Sequence, residues 1–93
     1  GTGRPVSHVA VGGGACGDEI RAVFDAGCDT FVTADVKYNQ FWDARDLGLN
    51  LIDAGHFWTE DPVCTPLADQ LRRQFPQIQV KVSEHHTDCI KFC

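Results

Sequence analysis

Short runs of strand-forming residues alternate along this chain with segments in which apolar residues recur every three or four positions. Four runs of this kind predict strands, at residues 6–11, 30–33, 49–53 and 79–82. The periodic segments predict helices that end at glycines, at residues 18–26 and 38–47. The tail becomes apolar again at Ile90 and Phe92, which is consistent with a final edge strand.

A third amphipathic segment predicts one more helix before the fourth strand. Its apolar side chains stand four residues apart, at Val63, Leu67, Leu71 and Phe75. A stripe of this kind predicts that the helix packs against the core. Because proline is tolerated only in the first turn of a helix, Pro62 and Pro66 indicate that this helix either starts late or bends there.

The alternation of strands and helices predicts an α/β fold, a largely parallel or mixed sheet of four to five strands with helices packed on it. In such sheets ligands collect outside the carboxyl ends of the strands. The segments that follow the predicted strands are 12–14, 33–35, 53–56 and 83–86. They bring three of the four histidines and several carboxylates to one edge of the sheet.

Composition and charge narrow the class of protein. The chain has 93 residues, enough for one domain, and its net charge of −5 makes nucleic acid an unfavourable partner. No apolar run approaches the roughly 20 residues that a membrane span requires. Since methionine is absent even at position 1, we expect residues 1–93 to be one domain that is a fragment or a processed product of a longer protein.

The cysteine pattern bears on the cellular compartment. There are five cysteines and no C-x-x-C pair, which disfavours both a disulfide framework and a zinc knuckle. Cys28 and Cys64 lie among apolar neighbours, which predicts buried, reduced thiols. Reduced thiols favour a cytoplasmic protein.

A glycine turn follows the first predicted strand. Residues 12–17 match G-x-G-x-x-G, and Asp35 follows near the end of the second strand, a context typical of dinucleotide binding. However, Asp18 and Glu19 occupy the helix turn that would receive a pyrophosphate, and two carboxylates there would repel it. The sequence therefore favours a plain tight turn, with dinucleotide binding as the weaker alternative.

His56 and Glu60 form a second candidate site, although by itself such a spacing is better explained by chance in a chain with this many histidines and acidic residues. Four residues apart at the start of a helix, they project from the same face. An imidazole with a carboxylate suits Zn²⁺, Mn²⁺, Fe²⁺ or a similar divalent ion. Asp53, two residues before Gly55, could orient the imidazole as a supporting carboxylate, or could instead make a cap interaction.

Two further segments offer polar groups near the strand ends. Asp35, Lys37 and Tyr38 could present a carboxylate, an ammonium and a phenol to an anionic substrate. The alternative is that Asp35 caps a helix and Lys37 is a surface residue. Of His85 and His86, at most one can reach a shared site from an extended segment, and solvated side chains are the favoured interpretation. No motif for a covalent nucleophile is present in the sequence.

The chain resembles the carboxy-terminal part of the NIF-three-like dinuclear metal-centre family, whose members are often described as GTP cyclohydrolase 1 type 2 homologues, and two segments are the most specific to it. They are T-A-D-V-K-Y at residues 33–38 and D-A-G-H-F-W-T-E at residues 53–60, and the resemblance runs from about Val6 to the end. It implies an α/β domain that contributes His56 and Glu60 as ligands to a pair of divalent ions. A histidine pair and an aspartate in the family's amino-terminal half would complete the site.

The resemblance also implies a function and an assembly. Hydrolysis of a phosphoester or nucleotide-type small molecule would be the natural reaction of the intact protein, which would form a homo-oligomer. The alternative is a non-catalytic interaction or regulatory module of the same fold. The chain departs from the family pattern at Ala34, Asn39, His86 and Cys89, and the departures at Asn39 and in the tail bear on substrate contacts.

Overall fold

The computed structural model describes residues 1–92 and confirms the α/β class. The strands are β1 (Val9–Val11), β2 (Thr30–Thr33) and β3 (Asn50–Asp53). The α-helices are α1 (Ile20–Asp25), α2 (Tyr38–Leu47), α3 (His56–Glu60) and α4 (Cys64–Gln74). Turns of 3₁₀ helix, Gly17–Glu19 and Asp61–Val63, precede α1 and α4.

The three strands form one parallel sheet in the order β1-β2-β3. Ala10, Phe31 and Leu51 are paired across it and point to the face that α1 and α2 cover. Phe31 is the largest fully buried side chain of this core. Both edges of β2 are paired, so β2 is the central strand. Its carboxyl end therefore lies between the carboxyl ends of β1 and β3.

The opposite face of the sheet exposes apolar side chains of the two edge strands. Val11 is 73% exposed, and Val9 and Ile52 are also exposed on this face. Side chains alternate between the two faces of a strand, and Ala10, Phe31 and Leu51 point to the helical face. The residues next to them in each strand therefore point to the opposite face. The strands thus carry apolar residues on both faces, as parallel strands usually do.

The prediction of a fourth strand is wrong. The prediction of a final edge strand is also wrong for the residues that the structure describes, which end at Phe92. Residues 79–82 form no strand. They lie along α4 instead, where the Arg72 guanidinium donates hydrogen bonds of 3.3 and 2.9 Å to the Val80 carbonyl. Val80 and Val82 line a groove with Leu67 and Leu71. The alternation in sequence therefore reflects contact with a helix and not with a sheet.

The third predicted helix starts late, one of the two alternatives that its prolines left open, because α4 begins only at Cys64. Pro62 lies in the 3₁₀ turn between α3 and α4. The expected packing of the apolar stripe against the core is wrong, because Leu67 is 50% exposed and only Ala68 of α4 is buried. The radius of gyration is 16.8 Å, whereas a compact domain of this length has about 12 Å, so α4 and the tail project from the sheet.

The first strand begins later than predicted, and the thiols are less buried. Asp29 accepts the backbone N–H groups of Ser7 and His8, which replaces strand pairing before Val9. Cys28 and Cys64 are half-buried free thiols. Within residues 1–92, no helix has the length and the apolar composition to cross a membrane.

Candidate metal centre

His56 lies between two carboxylates at the carboxyl end of the sheet. It is the first residue of α3 and follows Gly55, whose φ of 86° turns the chain out of β3. Its Nε2 is 2.9 Å from Glu60 Oε2, one helical turn along α3. Its Nδ1 is 2.6 Å from Asp35 Oδ2, on the loop after β2. The three side chains are each about half exposed, so a ligand can reach them.

Asp35 makes the supporting contact that was one of the two alternatives for Asp53. Asp35 has a φ of 51°, a left-handed conformation that aspartate tolerates better than most residues and that here accompanies its contact with His56. Asp53 instead accepts the N–H groups of Val36, at 3.1 Å, and Gly55, at 3.2 Å. Asp53 thereby joins the two loops that carry the candidate site.

The structure also shows where the other polar residues of the Asp35 loop lie. Helix α2 begins at Tyr38 and its flanking residue is Lys37, so Asp35 is not the N-cap. The Lys37 N–H donates to Gln40 Oε1 at 2.8 Å. Tyr38 is 77% exposed and packs edge-on against Trp42. Within the described part of the chain, neither Lys37 nor Tyr38 lines the cavity that contains His56.

The glycine turn is built against the His56–Glu60 pair. Gly14 has a φ of 71°, and its N–H donates to the Thr59 hydroxyl at 2.8 Å. Its carbonyl accepts the Thr33 hydroxyl at 2.9 Å. A β-carbon at residue 14 would overlap the Glu60 carboxylate and lie 3.2 Å from His56 Nε2. The turn thus brings the backbone of residue 14 next to both candidate ligands.

The same turn is poorly suited to a dinucleotide. Gly17 faces the Gln40 amide, and that amide donates to Asp18 Oδ1 at 2.9 Å, so side chains of this chain fill the space. Helix α1 has only six residues. The Glu60 carboxylate lies against Gly14, where it would repel a phosphate. These contacts argue against the dinucleotide interpretation.

The two carboxylates beside His56 favour positive charge at this position. The hydrogen bond to Asp35 and the charge of Glu60 raise the pKa of His56 above its usual value of 6.5. In a neutral ring that donates Nδ1–H to Asp35, Nε2 presents a lone pair to the Glu60 oxygen. Two acceptors 2.9 Å apart repel unless a proton or a cation lies between them.

The pair also fits the dimensions of a metal site. Adjacent ligands at about 2.1 Å from an octahedral ion lie about 3 Å apart, and the observed separation of Nε2 and Oε2 is 2.9 Å. A carboxylate on the other ring nitrogen is the usual partner of a metal-bound histidine, and Asp35 supplies it. His56 and Glu60 could therefore hold a divalent ion, with Asp35 fixing the imidazole.

A second group of candidate ligands lines the same cavity. Asp61, Cys64 and His86 bring one ligand atom each to within 4.8 Å of one another. His86 Nε2 is 2.5 Å from Asp61 Oδ1. Sequence reasoning favoured solvation for His86, and the segment D-P-V-C directly after Glu60 was the available signal for the other two residues.

These features define a class of protein. It is a small parallel α/β domain with a candidate metal-ligand pair at the carboxyl end of its sheet. Residues 1–89 match the family model described as Duf34/NIF3 (NGG1p interacting factor 3). The chain belongs to this family, which confirms the resemblance found in the two motifs.

Curated relatives and solved structures agree with this assignment. A "GTP cyclohydrolase 1 type 2 homolog" of Nostoc sp. is 48% identical over 67 residues, which are 72% of this chain and 26% of that protein. A Staphylococcus aureus protein of the same name is 33% identical over 96% of this chain and 25% of its own length. The chain thus spans about a quarter of these relatives.

The structural neighbours cover a similar part. The crystal structure of a Staphylococcus aureus hypothetical protein matches with a TM-score of 0.80 and 30% identity, over 91% of this chain and 29% of that one. The crystal structure of a Bacillus cereus protein related to NIF3 matches with a TM-score of 0.74 and 32% identity, over 91% of this chain and 24% of that one.

Proposed function

We propose that this chain supplies part of a divalent-metal site in a metal-dependent hydrolase, with His56 and Glu60 as ligands. The observation that supports this most directly is the position of His56, with Nδ1 on Asp35 and Nε2 facing Glu60. Donation of Nδ1–H to a carboxylate fixes the tautomer in which Nε2 is free to bind a metal, and makes that nitrogen more basic.

The complete site would hold two divalent ions such as Zn²⁺, Mn²⁺ or Fe²⁺, with its other ligands elsewhere in the full-length protein. Such ions supply a nucleophile from water at neutral pH and stabilise negative charge on a substrate. In this chain His56 and Glu60 would hold an ion, and Asp35 would orient His56. We therefore expect the reaction to be hydrolysis without a covalent intermediate.

The substrate we propose is a phosphoester or nucleotide-type small molecule. The name that the curated relatives carry refers to a nucleotide reaction. The substrate would enter the open cavity of 650 Å³ that His56, Glu60 and Asp35 line. Lys37 and Tyr38 lie outside this lining, so the substrate contacts expected of them would require a larger ligand.

A non-catalytic interaction module is the second candidate function. The exposed apolar residues of α4, such as Leu67, and of the sheet, such as Val11, favour it because large exposed apolar patches usually mark contact surfaces. The same surfaces suit a homo-oligomer, which we propose for a cytoplasmic full-length protein. A protein that binds its partners equally well after chelation and hydrolyses no phosphoester would support the module over the hydrolase.

Metal content of the intact protein tests the hydrolase proposal. We expect His56→Ala and Glu60→Ala to lose metal and phosphoesterase activity together, measured by elemental analysis and by turnover of a phosphoester panel. His85→Ala is the matched control, because His85 is exposed and its described hydrogen bond uses only its backbone N–H. Unchanged metal stoichiometry in His56→Ala would contradict the proposal.

A further inference from the structure

Asp61, Cys64 and His86 converge from three different elements onto one point. Asp61 begins the 3₁₀ turn after α3, Cys64 is the first residue of α4, and His86 belongs to the tail. The 3₁₀ turn that contains Pro62 connects Asp61 to Cys64. Their carboxylate and thiol, with the His86 imidazole, lie within 4.8 Å of one another.

We propose that these three side chains form a cation site of their own, separate from the His56–Glu60 pair. A thiolate, an imidazole and a carboxylate together favour Zn²⁺ or an ion of similar softness over Mg²⁺ or Ca²⁺. Three protein ligands leave one position of a tetrahedral ion open. That position would face the cavity, because all three residues line it.

The distances fit such an ion after a small movement. Bonds of about 2.0–2.3 Å to nitrogen, oxygen and sulfur place tetrahedral ligands about 3.3–3.8 Å apart. The contact between His86 Nε2 and Asp61 Oδ1, at 2.5 Å, would open to admit the ion, and the widest separation of 4.8 Å or less would close. Phe57 packs on the His86 ring, with centroids 5.8 Å apart, and holds it beside Asp61.

The two candidate sites share one cavity but no ligand. Glu60 faces His56 on one side, whereas the next residue, Asp61, faces His86 on the other. An ion on the second group would therefore present its open position to the same space as the ion on His56 and Glu60. An anionic group of a bound molecule could contact both.

Cobalt substitution tests this site without relying on activity. A Co²⁺ ion bound to a thiolate gives a near-ultraviolet charge-transfer absorption, and Cys64 is the thiol of the proposed site. We expect the intact protein titrated with Co²⁺ to show this absorption and Cys64→Ser to lose it. In His86→Ala we expect at least about tenfold weaker Co²⁺ binding, since loss of even a supporting contact costs that much.

Two controls separate the alternatives. Cys89→Ser changes another thiol of the same cavity and should keep the absorption. The double variant His56→Ala/Glu60→Ala should also keep it, so that failure of the hydrolase proposal and failure of this one are distinguishable. Absorption that persists in Cys64→Ser, disappears in Cys89→Ser, or is absent from the intact protein would overturn the proposal. A thermal unfolding curve of Cys64→Ser verifies that the variant is folded.

Discussion

Gly14 lies so close to Glu60 that a β-carbon on residue 14 would overlap the carboxylate. The same β-carbon would be 3.2 Å from His56 Nε2. The glycine turn, the Thr33 and Thr59 hydroxyls that bind it, and the candidate ligands therefore form one unit. A motif that resembles a cofactor fingerprint in the sequence serves in the structure to let the backbone approach a histidine–glutamate pair.

We therefore expect substitution of Gly14 to abolish metal binding by this pair and to lower the free energy of unfolding. In Gly14→Ala the positive φ alone costs roughly 1–2 kcal/mol of the free energy of unfolding. The new methyl group also displaces Glu60 from His56. We expect the variant to be destabilised and to lose the metal held by this pair, measured by denaturant unfolding and elemental analysis.

Gly27→Ala is the matched control for that prediction. Gly27 has a φ of 85°, and a β-carbon there would meet no atom within 4 Å. It should lose a similar roughly 1–2 kcal/mol through its backbone but keep its metal. If both variants retain metal equally, the contact between Gly14 and Glu60 has no bearing on the site.

Local patterns were sufficient to predict the core of the fold. The predicted strands at residues 30–33 and 49–53 correspond to the largely buried β2 and to β3. Gly48 ends α2 in the expected left-handed conformation, with φ 72°. The predictions of a strand at residues 79–82 and of core packing for α4 were wrong for a different reason. Alternation and amphipathicity reveal that one side of a segment is covered, but they do not identify what covers it.

The candidate site was predictable only in part, for a similar reason. The spacing of His56 and Glu60 follows from helix geometry, so the sequence contains it. The contact of Asp35 with His56 depends on a positive φ in a loop, and that of His86 with Asp61 depends on the path of the tail. Neither is encoded by a short-range pattern.

Neutralising Asp35 should weaken the metal site through His56. In Asp35→Asn the amide oxygen can still accept Nδ1–H, but the negative charge is lost. We expect the pKa of His56 in the metal-free protein to fall, and metal affinity to decrease by about 10–100-fold. Proton NMR titration of the imidazole and competitive chelation measure the two effects.

Asp53→Asn provides the comparison, because Asp53 binds backbone N–H groups and not His56. We expect this variant to leave the pKa of His56 close to that of the unaltered protein. An equal fall in both variants would assign the effect to general charge near the cavity, and not to the hydrogen bond from His56 to Asp35.

The raised pKa of His56 predicts the pH dependence of the metal-free protein. Since the folded state holds the proton more tightly than the unfolded state, this contribution to stability is complete below the unfolded pKa of about 6.5. It is lost as the pH rises through the higher, folded-state pKa. We expect the free energy of unfolding to decline over this window, and His56→Gln to remove that decline. Parallel profiles for the two proteins would contradict the assignment.

Asp29 predicts that the free energy of unfolding changes with pH in the opposite direction at acidic pH. Its carboxylate accepts the N–H groups of His8, at 2.8 Å, and Ser7, at 2.9 Å, and the Thr30 hydroxyl, at 2.7 Å. These bonds, that of His8 foremost, lower the pKa of Asp29 below 3.8. A lowered folded-state pKa means that the contribution is present above the unfolded value and is lost as the pH falls through the folded one.

Asp29→Asn should therefore flatten the acid limb of the stability profile, since asparagine keeps an acceptor oxygen but cannot be protonated in this range. Denaturant unfolding at a series of acidic pH values measures the effect. In Asp25→Asn, which removes an exposed pair with Arg21 at 3.3 Å, the acid limb should stay nearly unchanged. An acid limb in Asp29→Asn as steep as in the unaltered protein would mean that the segment before β1 is not held by this carboxylate.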